Sequence, residues 1–127
     1  MSIKLSAGAL TSLPADIAVP KYRRSDLSAG IIHFGVGNFH RAHQAVYLDD
    51  LFNSGAGHDW AVIGAGVRAA DELVREKLGE QDWLTTVAEQ EATSTKARVI
   101  GSMIDFIPPG DAAATLEALA RPEIRIV

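Results

Sequence analysis

An apolar run that leads straight into a glycine turn and then into a helix-like segment constrains this chain most. Ile31–Phe34 is followed by Gly35-Val36-Gly37, and helical spacing begins at Phe39. This order is typical of a nucleotide pyrophosphate site, since the first glycine permits a tight turn, the second admits phosphate close to the backbone, and the helix start offers N–H groups. The third fingerprint position, normally Gly or Ala, is His40, so a plain strand–turn–helix corner stays open as an alternative.

A second segment fits the same fingerprint, and on pattern alone it fits better. The pair Val62-Ile63 leads into Gly64-Ala65-Gly66, and Ala69 occupies the third fingerprint position. Against it, the segment follows a complete strand–helix unit that has its own glycine turn, and one pyrophosphate needs one such turn.

Length and composition indicate one globular domain or a piece of one. The chain has 127 residues, 47% hydrophobic and 22% charged, which is ordinary for an α/β domain. A net charge of −4 argues against nucleic acid as a partner. The absence of cysteine excludes disulfides, thiolate zinc sites and cysteine nucleophiles, so redox chemistry would need a bound cofactor. Residues 1–18 resemble neither a secretory signal nor a membrane span, so we expect a cytoplasmic protein with no membrane partner.

The hydrophobic period alternates between strand and helix after an irregular lead. We predict an N-terminal arm over residues 1–30 and, over residues 31–127, an α/β Rossmann-like parallel sheet with a β-hairpin insertion. The sheet would end before its remaining strands, as in a truncated domain. The predicted elements are parallel strands Ile31–Phe34, Trp60–Ile63 and Ile124–Val127, a hairpin of Trp83–Ala88 with Ala97–Ile104, and helices Phe39–Leu51, Ala69–Leu78 (capped by Gly79) and Ala112–Leu119.

The glycine turn also belongs to a longer match. The decamer Gly35–Gln44 resembles the N-terminal signature of the long-chain polyol dehydrogenases, the family of mannitol 2-dehydrogenase and fructuronate reductase. Members run to several hundred residues, so the resemblance implies that this chain is their N-terminal part, without the C-terminal helical domain. Further similar segments follow in order: Asp59-Trp60, Gly64–Arg68, Gly79–Asp82, Arg98–Ser102 and Pro122–Val127.

The resemblance implies the cofactor-binding portion of an NAD(P)-dependent oxidoreductase. Its reaction would interconvert a sugar alcohol, a mannitol-like polyol or an aldonate, and its keto sugar, with that small molecule as partner and the oligomeric state left open. It also favours the first turn for the phosphates and places the catalytic residues downstream of Val127, so none lies in this chain. A non-catalytic nucleotide-binding or structural fragment remains the alternative. The implied phosphate-site residues are Gly35, Val36, Gly37, Asn38, Phe39 and His40.

Asp71 is the candidate for choosing between NAD and NADP. A carboxylate at the end of the second strand accepts from both ribose hydroxyls and repels a 2′-phosphate. The family often has an acidic pair here, and Ala70 replaces its first member. Arg68 is near enough to attract a 2′-phosphate, so NAD is expected and NADP is not excluded. Alternatively, Asp71 only begins the following helix.

His40 and His43 are one helical turn apart, and with Asp49 or Asp50 they would form part of a metal site. Zinc needs three or four ligands in a tight shell, and the chain has no cysteine and no His-x-x-x-His pair. We therefore predict a metal-independent protein. His40 is expected to pack against the glycine turn and orient it, and His33 is expected to be a core histidine.

Overall fold

A computed structural model describes residues 2–127 and contains one parallel sheet and one hairpin. Strand β1 (Ala29–Phe34) pairs in parallel with β2 (Ala61–Ala65), which pairs in parallel with β5 (Met103–Ile107). Beyond β1, Ile126 forms a single parallel bridge with Ile31. The predicted parallel pairing of the first two strands is therefore confirmed. The prediction of a strand over residues 124–127 is wrong, because only one bridge forms there.

The hairpin consists of β3 (Thr85–Gln90) and β4 (Thr95–Ile100), which run antiparallel. The prediction that its second strand reaches residue 104 is wrong, since the chain leaves the hairpin at Gly101 and enters β5. Two buried hydrogen bonds divert the backbone. The N–H of Gly101 donates to Asp49 Oδ1 at 3.0 Å, and the hydroxyl of Ser102 donates to the carbonyl of Ala45 at 2.8 Å.

The predicted helix after the first strand is two helices, α1 (Asn38–Ala42) and α2 (Gln44–Asn53). The break lies at His43, with φ −123° and ψ −86°. Its Nδ1 is 2.8 Å from the carbonyl oxygen of Phe39, the acceptor that its own backbone N–H would use in a continuous helix. The N–H of His43 bonds instead to the carbonyl of His40.

The third and fourth helices are α3 (Asp71–Gly79) and α4 (Ala112–Leu119), close to the predicted ranges. Asp111 caps α4, because its side chain accepts from the N–H of Ala114 at 2.9 Å. The prediction of a glycine cap on α3 is wrong: Gly79 is the last helical residue, and a Cβ there would lie 3.1 Å from the ring of Trp83. Close approach of this ring is what the glycine permits.

Helices cover both faces of the parallel sheet, so the core has two layers. Strand β2 is buried along its whole length, as expected of a central parallel strand. The first layer contains Ala29, Ile32, Ile63, Ala65, Ile107 and Ala118, and the second contains Ile31, Val36, Val62, Leu78, Met103 and Phe106.

The N-terminal segment crosses the hairpin and α2 before it enters the sheet. It has two 3₁₀ turns, Ala7–Ser12 and Arg24–Asp26, and between them Ala18 forms a parallel bridge with Arg98. The guanidinium of Arg24 donates to the carbonyls of Gly101 and Met103 at 3.1 and 2.7 Å. No helix within residues 2–127 is long and apolar enough to cross a membrane.

Candidate functional site

The first glycine turn leaves open space where a ligand can approach the backbone. Gly35 has φ +80°, a conformation that side chains disfavour, and a Cβ there would meet no atom within 4 Å. A Cβ on Gly37 would have one neighbour, the carbonyl oxygen of Gly35 at 4.0 Å. The side chain of Val36 between them points into the core. Within residues 2–127, nothing in the fold requires glycine at position 37, so this side of the turn is open to a ligand.

The second glycine turn is filled by the protein itself. A Cβ on Gly64 would lie 2.8 Å from both the ring of Phe106 and the side chain of Val36. A Cβ on Gly66 would overlap the ring of Pro109. Both glycines are therefore required by packing between neighbouring elements. This difference separates two turns that fit the same pattern.

A cavity of about 290 Å³ opens beside the first turn, at the carboxyl end of β1. The rings of His33 and His40 stack there, with centroids 3.8 Å apart and planes 16° apart. His40 is 5% exposed, and neither of its ring nitrogens has a hydrogen-bond partner in the described chain. Burial lowers the pKa of His40 to about 4 and also lowers the pKa of His33, so both rings are neutral at pH 7. The cavity is lined by His33, Gly35, Gly37, Phe39, His40 and Gln44.

The turn offers donors and a cation suited to an anion. No acceptor within residues 2–127 bonds the backbone N–H of Val36 or Gly37. Arg41 lies over the turn, since its guanidinium donates to the carbonyl of Gly37 at 3.3 Å and to Asn38 Oδ1 at 2.7 Å. Because α1 has five residues, its dipole is small, and these groups are the main attraction for an anion.

Phe39 projects from the start of α1. Its side chain is 78% exposed, lines the cavity and stacks on the ring of His43 with centroids 4.1 Å apart. His43 thus lies on the outer side of α1, whereas His40 is buried under the turn. The two histidines that the spacing placed on one helical turn therefore lie in different environments.

The candidate ribose residues lie on the neighbouring loop. Strands β1 and β2 end in register, with Phe34 opposite Ala65, so the loops that follow are adjacent. Asp71 Oδ2 accepts from the backbone N–H groups of Val67 and Arg68, both at 2.8 Å, while Oδ1 makes a longer contact of 3.4 Å with the Arg68 guanidinium. The bonds to these backbone groups lower the pKa of Asp71. Asp71 therefore begins α3 and fastens its loop, and Oδ1 remains the freer oxygen.

Asp49, a possible partner of the two histidines in a metal site, instead holds three parts of the fold together. Its side chain is 1% exposed, and Arg98 also pairs with the neighbouring Asp50 at 2.8 Å. No group of three or more side chains able to hold a metal occurs in the part of the chain that the structure describes. The sequence carries one indication of this buried role, because Asp49 lies on the same face of the helix as the apolar residues Ala45 and Phe52. The donors to Asp49 are the hydroxyl of Tyr22, the guanidinium of Arg98 (2.6 Å), the N–H of Gly101 (3.0 Å) and the amide of Asn53 (3.2 Å).

Comparison with known proteins gives a consistent result. The family model described as mannitol dehydrogenase Rossmann domain matches residues 29–127. A mannitol 2-dehydrogenase of Cereibacter sphaeroides is 57% identical over 109 residues, which are 85% of this chain and 23% of that protein. One from Pyricularia oryzae is 41% identical over 100% of this chain and 26% of its own length.

Two solved structures share this fold. The ternary complex of Pseudomonas fluorescens mannitol 2-dehydrogenase with NAD and D-mannitol superposes with a TM-score of 0.92 at 44% identity, covering 98% of this chain and 26% of that one. A D-sorbitol dehydrogenase in substrate-free form superposes with a TM-score of 0.85 at 34% identity, covering 97% of this chain and 26% of that one. The chain thus spans about a quarter of the length of the relatives it matches.

Proposed function

The chain belongs to the mannitol dehydrogenase family, whose Rossmann domain it matches over residues 29–127, and from this premise we propose that it binds NAD as part of a polyol dehydrogenase. The observation that carries the proposal is the open space beside Gly35 and Gly37, next to a second glycine turn that the fold fills. A dinucleotide pyrophosphate needs such close access to the backbone.

In this proposal the first turn holds the diphosphate. The free N–H groups of Val36 and Gly37 donate to its oxygens, and Arg41 supplies positive charge at the same place. His40 stays neutral and buried beneath the turn, where it fixes the direction of α1. Phe39, exposed at the cavity, contributes an apolar wall against the cofactor.

Asp71 carries the preference for NAD. Its Oδ2 is held by the loop, which leaves Oδ1 to accept from a ribose hydroxyl. The negative charge disfavours a 2′-phosphate, and Arg68 beside it moderates that effect because its side chain is exposed and positively charged.

The bound NAD would supply the hydride acceptor, and residues outside this segment would supply the acid–base groups. We propose D-mannitol as the first substrate to test, since relatives named mannitol 2-dehydrogenase reach 57% identity. The product would be the 2-keto sugar.

The test uses the intact gene product. NADH formation is followed with D-mannitol, D-sorbitol and D-arabinitol, and NADH consumption with D-fructuronate, while NAD affinity is measured separately by calorimetry. We expect NAD binding and the highest kcat/KM with D-mannitol. Binding of NAD without turnover of any of these substrates would leave a nucleotide-binding module and refute the enzymatic part. Absence of NAD binding would refute the site itself.

A further inference from the structure

His33 is not a core histidine, because its ring is only part-buried and lines the cavity. It lies near the carboxyl end of β1, where the burial of the strand ends, and its ring lines the cavity beside the glycine turn. One face of the ring is covered by His40 at 3.8 Å. His33 is only part-buried, whereas His40 beneath it is enclosed.

We propose that His33 contacts the bound dinucleotide and takes up a proton when the diphosphate enters the cavity. This inference rests on the proposed function and adds a residue and a proton to it.

The charges around the cavity support this assignment. A dinucleotide diphosphate carries two negative charges, and Arg41 is the cation bonded to the turn. Opposite His33, strand β2 presents Gly64, which has no charged group, and α2 begins with the neutral Gln44. A protonated His33 would supply the second positive charge at the diphosphate.

The stacked pair is built to carry one proton. Burial lowers the pKa of His33, and its contact with the backbone of Gly35 opposes that shift. A diphosphate within a few ångströms would raise the pKa of His33 by at least one unit or so. Burial of His40 keeps its pKa near 4, so it remains a neutral ring. A protonated imidazole over a neutral aromatic ring is a favourable arrangement.

The other groups near the pair do not fit this role. The ring nitrogens of His40 are enclosed, so a ligand cannot reach them directly. His43 faces outward, with Nδ1 on the carbonyl of Phe39.

The test is calorimetry of NAD binding to the intact gene product at pH 6.5, in two buffers of different ionisation enthalpy. A rise of one unit in the pKa of His33 corresponds to uptake of up to about half a proton per NAD, so the measurement is repeated between pH 5 and 7.5 to find the maximum. The same shift makes NAD bind more tightly below the pKa of His33 than above it, by up to about tenfold.

Two variants complete the test. His33→Gln should bind NAD with no proton uptake and a flat pH profile. His58→Gln should behave like the parent, because His58 lies against Phe52 and Tyr22, away from the cavity.

Each outcome decides. NAD binding by the parent without proton uptake, or uptake that persists in His33→Gln, would overturn the inference and leave the proposed function intact. Should His33→Gln not fold, the parent measurement still decides, together with an NMR titration of its histidine rings with and without NAD. A His33 pKa unchanged by NAD would refute the inference. No binding of NAD would overturn both.

Discussion

At the scale of single residues, the two glycine turns differ in what lies beside them. The protein itself fills the space beside Gly64, whereas the space beside Gly37 is open and, in the proposed function, is filled by the cofactor. Substitution at each should therefore affect a different property, which makes the two turns separable by experiment.

Gly37→Val should weaken NAD binding by tenfold or more, about 1.4 kcal/mol, without loss of stability. The backbone there has φ −109°, which valine accepts, and the new side chain points into open space that the diphosphate would occupy. Calorimetry and urea unfolding measure the two effects. Unchanged NAD affinity in a folded variant would move the phosphate site elsewhere.

Gly64→Ala is the matched variant at the second turn. Its methyl group would press on Phe106 and Val36, so the free energy of unfolding should fall by about 1–3 kcal/mol. The folded fraction should keep its affinity for NAD to within a factor of about two. Lost stability in Gly37→Val and lost affinity in Gly64→Ala would reverse the assignment of the two turns.

Asp71→Asn should reduce the preference for NAD over NADP by about tenfold. The amide oxygen of Asn still accepts from the N–H groups of Val67 or Arg68, so the loop is kept while the charge that repels a 2′-phosphate is removed. The measurement is the ratio of kcat/KM for the two cofactors. Glu72→Gln, one residue along α3, is the control, and an Asp71→Asn ratio equal to that control would make Asp71 a helix-starting residue only.

His40 should make the protein less stable in acid. The pKa of His40 is about 4 in the folded state and near 6.5 when unfolded, so between these values the unfolded chain binds a proton that the folded chain does not. The stability present above pH 6.5 is therefore lost as the pH falls to 4, by about 3 kcal/mol. His40→Phe keeps a ring against His33 and cannot take up this proton. Urea unfolding at pH 7 and at pH 4 should therefore show a smaller loss of unfolding free energy in His40→Phe than in the parent. Equal losses in the two proteins would contradict the assignment.

At the scale of elements, buried Asp49 joins α2 to the N-terminal segment and to the loop that leaves the hairpin. These bonds span 27 residues to Tyr22 and 52 residues to Gly101. Hydrophobic spacing reports local structure, so it predicted the strands and helices that carry the turn. It could not report a link between distant segments, and for that reason the split at Gly101 and the role of Asp49 were missed.

Asp49→Ala should lower the free energy of unfolding by about 3–5 kcal/mol, because it leaves the buried side of Arg98 and the Tyr22 hydroxyl without their acceptor. Asp50→Ala is the matched control. It also pairs with Arg98, but its side chain is 59% exposed, so the expected loss is below about 1 kcal/mol. Urea unfolding compares the two, and similar losses would show that the burial of Asp49 does not matter.

At the scale of the whole molecule, the sheet order runs β5, β2, β1 and then Ile126. Sequence alternation predicted this parallel sheet. It placed the third strand wrongly, since β5 follows the hairpin without a helix between them. The cavity lies beside the turn after β1, and the local glycine pattern was enough to predict that turn. The stack of His33 on His40 joins a strand to a helix, so it required coordinates.

The intact gene product should work without a metal. The groups at the turn are backbone N–H groups and a guanidinium, which suit an anion rather than a cation, and no group of three or more side chains able to hold a metal occurs within residues 2–127. Dialysis against EDTA should leave the NAD-dependent oxidation of D-mannitol within about 20% of its original rate. Activity that is lost on chelation and restored by zinc would contradict this account.

Tyr22 and Arg24 make side-chain contacts with the domain although both precede the first residue that the family model matches. The family match begins at residue 29, on the first strand, and includes every strand of the sheet. A recombinant domain cut at that boundary would keep the glycine turn. It would lose the Tyr22 hydroxyl that donates to Asp49 and the Arg24 guanidinium that donates to two backbone carbonyls. Expression boundaries for this domain should therefore be drawn ahead of Tyr22.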